Sequence, residues 1–510
     1  MFRWKTRTGV AAVAAVALAG FSITGLSASA QAATGSSGSL AMGILTAQTT
    51  WSAADASWAN WSPYEQAVYD TLLHANPNGK IVPWLAKSWS YNTDKTVLTM
   101  KLRTDVTFTD GTAFTADVAA QNLTRFKNGA SPNKAFLTNM SSAKAVDPST
   151  LEIDLTAPDP SLLTYLTENA GLMESAAAFT SSTLATVPVG SGPYVLDTKD
   201  TVVGSSYVFT KNPNYFAKSQ QHYSKITMNV YSSGTAILNA IRRGQIQVSN
   251  TYDNTTVAQI KAAGYSIAAL QLNWDGFLLM DRGGTQDKAL GSVKVRQAIN
   301  YAFDKKALLS AVGQGLGTVT SSIFPTNSPG YSKSLDNYYS YNVKKAKALM
   351  KSAGYAKGFT LSMPSSSYFG TTVYTLISQE LKAIGITVKF TDPGANLIAD
   401  VLAPKWSSAY FTLQEDPTAW QISNFVLLPT ATFNPYKYDD STVVALTKTI
   451  QTGSTAEANA ATKKLNAYIV KQAWFAPWYR QQSSIAVGPK TKVTVQTGNA
   501  YPYLWNIQSK

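Results

Sequence analysis

The segment LRTDVTFTDGTAFTADV (residues 102–118, the scaffold segment) contains Asp110 and Asp117, whose carboxylates are groups that acid–base catalysis uses. Asp110 and Asp117 could form the carboxylate pair of a glycan hydrolase. However, Asp110 precedes Gly111 in a turn signal. Thr115 is a good N-cap residue, which places Asp117 in a first helical turn, where the helix dipole favours an acid. Because both carboxylates have structural roles and no third polar partner lies nearby, we interpret the segment as scaffold.

Other groups that carry chemistry are scarce. The chain has no cysteine and two histidines, His74 and His222, which lie far apart without a neighbouring ligand pattern. Neither a G-x-S-x-G elbow nor a P-loop is present, and GQGLG at 313–317 lacks the spacing of a dinucleotide site. We therefore expect no catalytic residue, no metal site and no cofactor, and the sequence favours a binding protein over an enzyme.

Strand and helix patterns alternate along the chain, which indicates an α/β fold. In the scaffold segment and just before it, Leu98, Met100 and Leu102 alternate with polar residues as in a strand with one buried face. The helix that Thr115 begins has an apolar stripe of Val118, Ala119, Leu123 and Phe126. Further helices are predicted in 65–75, 235–244, 295–312, 342–354 and the first half of 376–390.

The N-terminus predicts export. A basic stretch with Arg3, Lys5 and Arg7 precedes an apolar run over 10–25, and small residues around Ala30 and Ala32 form a cleavage site. We expect a signal peptide over residues 1–32, the alternative being an uncleaved membrane anchor. The mature protein is then extracellular, on the cell surface or periplasmic, and without cysteine it is not lipid-anchored through that residue.

The net charge of the chain is +14, or +11 without the three basic residues of the predicted signal peptide. Lysine and arginine are scattered, and no basic tract with interleaved aromatic residues is present. This pattern indicates a solvated basic surface with a preference for anionic cell-wall polymers, and we expect no nucleic-acid partner.

Several segments together resemble one known family. PWLAKSW (83–89), the scaffold segment, GSGPY (190–194), KNPNYF (211–216), RRGQIQV (242–248), VRQAINYAFDK (295–305), NVKKAKALMKSAGY (342–355) and LKAIGITV (381–388) follow one another in family order. The chain thereby resembles the extracellular solute-binding proteins of family 5, the dipeptide, oligopeptide and nickel group of ABC importers. The resemblance covers nearly the whole mature chain.

The resemblance implies a periplasmic-binding-protein type II-like α/β fold, pear-shaped, with two lobes on a hinge and an extra inserted domain. Domain I would comprise 33–75, 190–268 and 485–510, domain II the insertion 76–189, and domain III 269–484. A small-molecule or peptide ligand would be enclosed between the lobes of a monomer, and the closed form would dock onto an ABC permease of the cytoplasmic membrane.

The resemblance also implies where a peptide would be held. Peptide-binding members pair the α-ammonium of the ligand with an aspartate four residues before a proline. Anchored on Pro417, that position is Leu413 here, whereas a small gap would bring up Glu415. With Leu413 a buried ammonium would have no counter-charge. Nickel is disfavoured because only two histidines are present.

Aromatic residues are the other candidates for ligand contact, because aromatic faces stack on sugar rings and apolar groups. The predicted ligand-binding residues are Trp51, Trp58, Trp61, Trp274, Tyr368, Phe369, Tyr410, Gln414, Glu415 and Trp420, with Trp51 and Trp274 preferred. A peptide or peptide-like solute ranks first, an oligosaccharide second and a metal chelate third. Two other classes stay open: a secreted carboxylate-dependent glycan hydrolase, and a receptor that keeps the fold but feeds a signalling partner.

Overall fold

The structure is a computed structural model that describes residues 38–251 and 253–510. The predicted signal peptide lies outside the described residues. The strands are β1 (Ser39–Ile44), β2 (Asp70–Thr71), β3 (Leu73–Ala75), β4 (Ile81–Pro83), β5 (Ala86–Tyr91), β6 (Val97–Leu102), β7 (Met140–Asp147), β8 (Thr150–Leu155), β9 (Leu172–Met173), β10 (Tyr194–Leu196), β11 (Ser206–Lys211), β12 (Lys225–Val230), β13 (Val248–Asn250), β14 (Ser266–Leu279), β15 (Gly317–Val319), β16 (Phe359–Pro364), β17 (Ile386–Thr391), β18 (Ser408–Gln414), β19 (Phe475–Val487), β20 (Thr491–Val493) and β21 (Ile507–Ser509). The α-helices are α1 (Ser62–Val68), α2 (Ala116–Asn128), α3 (Leu162–Tyr165), α4 (Gly234–Arg242), α5 (Val257–Ala262), α6 (Val293–Ala302), α7 (Lys305–Ala311), α8 (Lys333–Asp336), α9 (Val343–Ser352), α10 (Thr371–Lys382), α11 (Leu397–Leu402), α12 (Ala419–Ile422), α13 (Ser441–Thr452) and α14 (Thr455–Lys471).

A long mixed sheet runs through the molecule in the order β10-β11-β12-β1-β13-β19-β14-β18, with β15 paired to β19. Strand β1 is parallel to β12 and β13, whereas β14 pairs antiparallel with β18 and β19. The β10–β13 end packs against α1 and the C-terminal residues to form the first core, which is drawn mainly from residues 40–69, 194–248 and 485–507.

A separate four-stranded antiparallel sheet, β5-β6-β8-β7, packs against α2 to form the second core, drawn from residues 72–173. The alternation predicted for β6 is confirmed, since Leu98, Met100 and Leu102 are fully buried. The N-cap is confirmed too, because the Thr115 side chain accepts a hydrogen bond from the backbone of Val118. The scaffold segment therefore joins the sheet and the helix of this core.

The third core is formed by buried residues between 274 and 479. It lies on both faces of the β18-β14-β19 end of the long sheet. Phe277 and Leu279 of β14 pack toward α6, α9 and α10, whereas Trp274 and Leu278 pack toward α12–α14. Strands β14 and β19 are the longest strands of the described residues, and each runs from the first core into the third. The pairing of these two strands shifts register between Gln271 and Asn273.

Two helix predictions need correction. The helix predicted over 65–75 ends at Val68, because Asp70–Thr71 and Leu73–Ala75 instead pair with β9 and β4. The helix predicted over 295–312 is interrupted after Ala302, where the Asp304 side chain caps a second helix by accepting from two backbone N–H groups. The helices around 235–244, 342–354 and 376–382 are present, and the α/β class is confirmed.

Candidate functional site

Three neighbouring cavities lie where the cores meet. Cavity A, of about 360 Å³, lies among β14, the loop 325–327 and the segment 495–498. Cavity B, of about 300 Å³, is lined by Trp58, residues 78–81, Thr164, Glu168 and residues 496–499. Cavity C, of about 680 Å³, lies between residues 133–168 and residues 414–425. Cavities A and B share Asn327 and Pro417, and B and C share Glu168, so the three adjoin one another, and we call them together the cleft.

The segment Gln414-Glu415-Asp416-Pro417-Thr418 forms a wall common to all three cavities. It follows the end of β18, and Thr418 caps α12 by accepting from the backbone N–H of Gln421. Contacts also cross the cleft from this side of the molecule. The hydroxyl oxygens of Ser161 and Thr418 lie 2.6 Å apart, and the Gln451 amide donates to the Pro158 carbonyl at 3.1 Å. The second and third cores therefore touch across the cleft.

Glu415 is engaged inside the protein. Its carboxylate lies 2.6 Å from the Arg480 guanidinium, and both side chains are buried. Arg480 also donates two hydrogen bonds to Asp336 and one to the Phe324 carbonyl. Burial raises the pKa of Glu415 to about 7, against the opposing effect of Arg480. Leu413, the other position considered for a peptide anchor, is buried in the third core. Neither position therefore offers a free carboxylate to a ligand.

Two other carboxylates face the cleft without partners. Asp416 and Glu168 both line cavity C, and neither side chain has a hydrogen bond or an ion pair within residues 38–251 and 253–510. Burial and the nearby charge of Asp416 raise the pKa of Glu168 to about 8. Burial raises the pKa of Asp416 to about 7. Burying a carboxylate without a partner costs free energy, and a nearby cation would reduce that cost.

Comparison with known proteins shows which family the chain belongs to. The family model described as bacterial extracellular solute-binding proteins, family 5 Middle, matches residues 80–443. The chain belongs to this family. The glutathione-binding protein GsiB of Escherichia coli K12 is 28% identical to this family 5 protein over 383 residues, which are 70% of this chain and 73% of GsiB.

Solved structures share the fold of this family 5 protein. HbpA2 from Haemophilus parasuis superposes with a TM-score of 0.82 at 22% identity, over 92% of this chain and 100% of that one. DppA from Helicobacter pylori, a periplasmic binding protein in complex with the peptide STSA, gives a TM-score of 0.71 at 22% identity, over 92% and 98%. The predicted type II periplasmic-binding-protein fold is thereby confirmed.

The structure brings four of the predicted ligand-binding residues to the cleft. Trp58 lines cavity B, Glu415 lines cavity A although it is paired with Arg480, and Gln414 and Trp420 line cavity C.

The other six predicted residues lie away from cavities A, B and C. Trp51 packs edge-on against Tyr64, Tyr207 and Phe209 in the first core, which its type alone did not reveal. Trp274 and Tyr410 are buried in the third core. The half-buried Trp61 donates to the Ala47 carbonyl, Phe369 packs on Tyr410, and Tyr368 is 86% exposed. Trp51, Trp274 and Tyr410 thus have packing roles in the cores.

Asp110 and Asp117 of the scaffold segment, and His74, also have packing or turn roles. Asp110 accepts from the Thr112 backbone and from the hydroxyl of Ser175, and Asp117 lies in the first turn of α2. His74 is stacked between two tryptophan rings, and burial lowers its pKa. Within residues 38–251 and 253–510, no group of three or more metal-ligating side chains is close enough to hold an ion. None of the helices in those ranges has the length and apolar character needed to span a membrane.

Sequence reasoning missed Asp416 and Glu168. Asp416 directly precedes Pro417, the residue used as the anchor of the alignment, so its position was a usable signal. Glu168 lies in a loop far away in the sequence, and it lines cavity C because residues 133–168 lie opposite residues 414–425 in the fold.

Proposed function

We propose that this family 5 protein is the exported substrate-binding component of an ABC importer. It captures a peptide or peptide-like solute in the cleft and presents it to a membrane permease. The observation that carries the proposal is the cleft itself, whose individual cavities have volumes typical of small-molecule sites. The name of the relative GsiB and the peptide in the DppA structure support a peptide-type solute.

The fold offers a mechanism for capture. Among the strands of residues 38–251 and 253–510, β14 and β19 are the two that run from the first core into the third, and their pairing is irregular between Gln271 and Asn273. A bulge breaks the hydrogen-bond ladder and lets a strand bend. Bending here would move the third core toward or away from the second, and contacts such as Ser161–Thr418 would form on closure. A solute that touches both sides then stabilises the closed form.

Thermal unfolding of the exported chain with short peptides, neutral oligosaccharides and nickel chelates tests this function. A peptide at about 100 times its Kd should stabilise the protein by about 2.7 kcal/mol. Stabilisation by an oligosaccharide with no response to any peptide would replace the proposed solute class. Turnover of a glycan by the pure protein would favour a hydrolase instead.

A filled-cleft variant shows whether the response comes from the cleft. Asn327 is exposed and lines cavities A and B, so Asn327→Trp should block them without disturbing a core. Its matched control is Asn337→Trp, at an exposed position away from the three cavities. We expect N327W to lose the peptide-induced stabilisation and N337W to retain it. Equal responses would place the solute outside the cleft.

A further inference from the structure

Helix α9 carries four lysines and no acid in its 10 residues. Lysines continue on both sides of it, with Lys333 before the helix and Lys357 after it. The one acid between residues 333 and 357 is Asp336, which is buried and paired with Arg480. The segment 333–357, the lysine face, therefore concentrates positive charge at the surface, and no exposed acid of its own balances that charge.

Three lysines of α9 form a stripe on the side of the helix that faces solvent. Ala346 and Met350 are buried in the third core, where α9 packs against α6. Lys344, Lys347 and Lys351 are exposed, and their spacing of three and four residues places them along one line of the helix surface. Within residues 38–251 and 253–510 these three side chains have no ion pair and no hydrogen bond. Their charges are therefore not used inside the described part of the protein.

Exposed tyrosines lie next to this stripe. Tyr338 and Tyr341 are 38% and 51% exposed. Tyr338 packs edge-on against Tyr339, and Tyr339 packs edge-on against Tyr301. The Lys345 ammonium lies 4.1 Å from the centre of the Tyr301 ring, so these contacts hold the tyrosines beside the first turn of α9. Tyrosine is enriched where a protein meets the headgroup layer of a bilayer, because its ring is apolar and its hydroxyl is polar.

The lysine face lies apart from the cleft, since residues 333–357, all within the described part of the chain, line none of cavities A, B and C. A partner bound to this face would leave the cleft open to a solute. Clustered lysines are attracted to anionic surfaces. A bilayer also offers a layer that accepts the tyrosine rings, which a dissolved polyanion does not, so the combination of charges and rings favours a bilayer.

We propose that the lysine face binds peripherally to a membrane surface with anionic lipid headgroups. Lys344, Lys347 and Lys351 face the lipid phosphates, and Tyr338 and Tyr341 enter the headgroup layer. The proposal goes beyond the proposed function by naming a second binding surface and its partner. It relies on that function only for placing the protein outside the cytoplasmic membrane.

Co-sedimentation of the full exported chain with lipid vesicles tests the proposal. One set of vesicles is phosphatidylcholine alone, and in the other set about a third of the lipid is phosphatidylglycerol. We expect binding to the anionic vesicles to be tighter by about 10-fold or more, because each lysine near such a surface strengthens attachment by about 5-fold. The binding should weaken with added salt, because the Debye length falls from about 10 Å at 0.1 M to about 3 Å at 1 M.

A triple variant and a matched control show whether the lysine face is responsible. Replacing Lys344, Lys347 and Lys351 by glutamine should weaken binding to the anionic vesicles by about 10-fold or more. The control replaces three exposed lysines of β5, β11 and α5 by glutamine, namely Lys87, Lys211 and Lys261. The control should bind within about 2-fold of the wild type, because charges farther from the bilayer than a Debye length are largely screened. Circular dichroism and the unfolding midpoint confirm that each variant is folded.

Immobilised polyphosphate distinguishes a bilayer from an anionic polymer. The polymer presents phosphate charge without a headgroup layer. If the wild type is retained on polyphosphate and does not sediment with the anionic vesicles, the lysine face takes a polymer and the proposal is wrong. Sedimentation with the anionic vesicles that is lost in the triple variant and kept in the control supports the proposal.

The remaining outcomes separate the lysine face from the proposed function. Equal losses in the triple variant and the control would assign the binding to overall charge and overturn the proposal, as would equal binding of the wild type to both kinds of vesicle. The vesicle experiment contains no solute, so its failure leaves the proposed function standing. Thermal unfolding with peptides, without lipid, should give the same stabilisation in the triple variant as in the wild type, and a missing response in both would count against the proposed function alone.

Discussion

Replacing Arg480 by methionine tests whether Glu415 is held inside the protein or is available to a solute. The Arg480 guanidinium is fully buried, donates to Asp336 at 2.9 and 3.0 Å and lies 2.6 Å from Glu415. Methionine keeps most of the aliphatic stem and leaves the two buried carboxylates without their ion-pair partner. The variant therefore isolates the electrostatic role of one side chain.

The expected loss is large and depends on pH. Removing one partner of a buried ion pair costs about 3–5 kcal/mol. Burial already raises the pKa of Glu415 to about 7, so this carboxyl takes up a proton readily once Arg480 is gone. Protonation relieves part of the penalty. We therefore expect Arg480→Met to lower the free energy of unfolding by about 3 kcal/mol near pH 8, and by less near pH 6.

Urea unfolding followed by circular dichroism and tryptophan fluorescence measures this loss. The control is Arg103→Met, which breaks an exposed pair with Asp105 whose side chains are 29% and 61% exposed. Such surface pairs contribute about 1 kcal/mol or less. If R480M and R103M unfold at the same urea concentration at pH 8, the ion pair does not hold Glu415. Glu415 would then return as a partner for a ligand ammonium.

Three further predictions concern particular side chains. Trp51→Ala should lower the free energy of unfolding by about 3–5 kcal/mol because Trp51 lies in the first core, yet leave the solute Kd of the folded protein unchanged; calorimetry showing a 10-fold weaker Kd would return Trp51 to the site. Thr115→Ala should lower the free energy of unfolding by about 1 kcal/mol through loss of the α2 cap, and a neutral effect in urea titrations would contradict that role. Glu168 has a raised folded pKa of about 8, so the stability it contributes is present below its ordinary pKa of 4.5 and is lost as pH rises through 8. In the unliganded protein Glu168→Gln should thus gain stability relative to the wild type between pH 5 and pH 9, by about 1–2 kcal/mol after screening in the open cavity, and a pH-independent difference would refute the raised pKa.

Local sequence patterns predicted the elements whose partners are close in the chain. The alternation of Leu98, Met100 and Leu102 reflects one buried sheet face, and Thr115 caps a helix that begins at the next residue. The end of α1 at Val68 was missed, because the residues that follow are held by strands β9 and β4, and no local pattern reveals that pairing. The α/β class could thus be predicted from the sequence, whereas the pairing partners of short strands could not.

The candidate site was harder to predict from the sequence, for a related reason. An aromatic residue in a loop has the same sequence signature whether it lines a cleft or fills a core. Trp58 and Trp51 illustrate this, since the first lines cavity B and the second packs among three aromatic rings of the first core. The roles of the acids depended on distant partners as well. Glu415 is paired because Arg480 reaches it from β19, whereas its neighbour Asp416 points to cavity C without a partner.

Native mass spectrometry with a pooled peptide library tests the central claim most directly. The exported chain would be mixed with random tripeptides that have free N-termini and, separately, with neutral oligosaccharides, and bound masses would be identified after release. The account predicts peptide adducts of one per chain, lost in the Asn327→Trp variant and retained in the Asn337→Trp control. Adducts with oligosaccharides alone, or peptide adducts that persist unchanged in N327W, would contradict it.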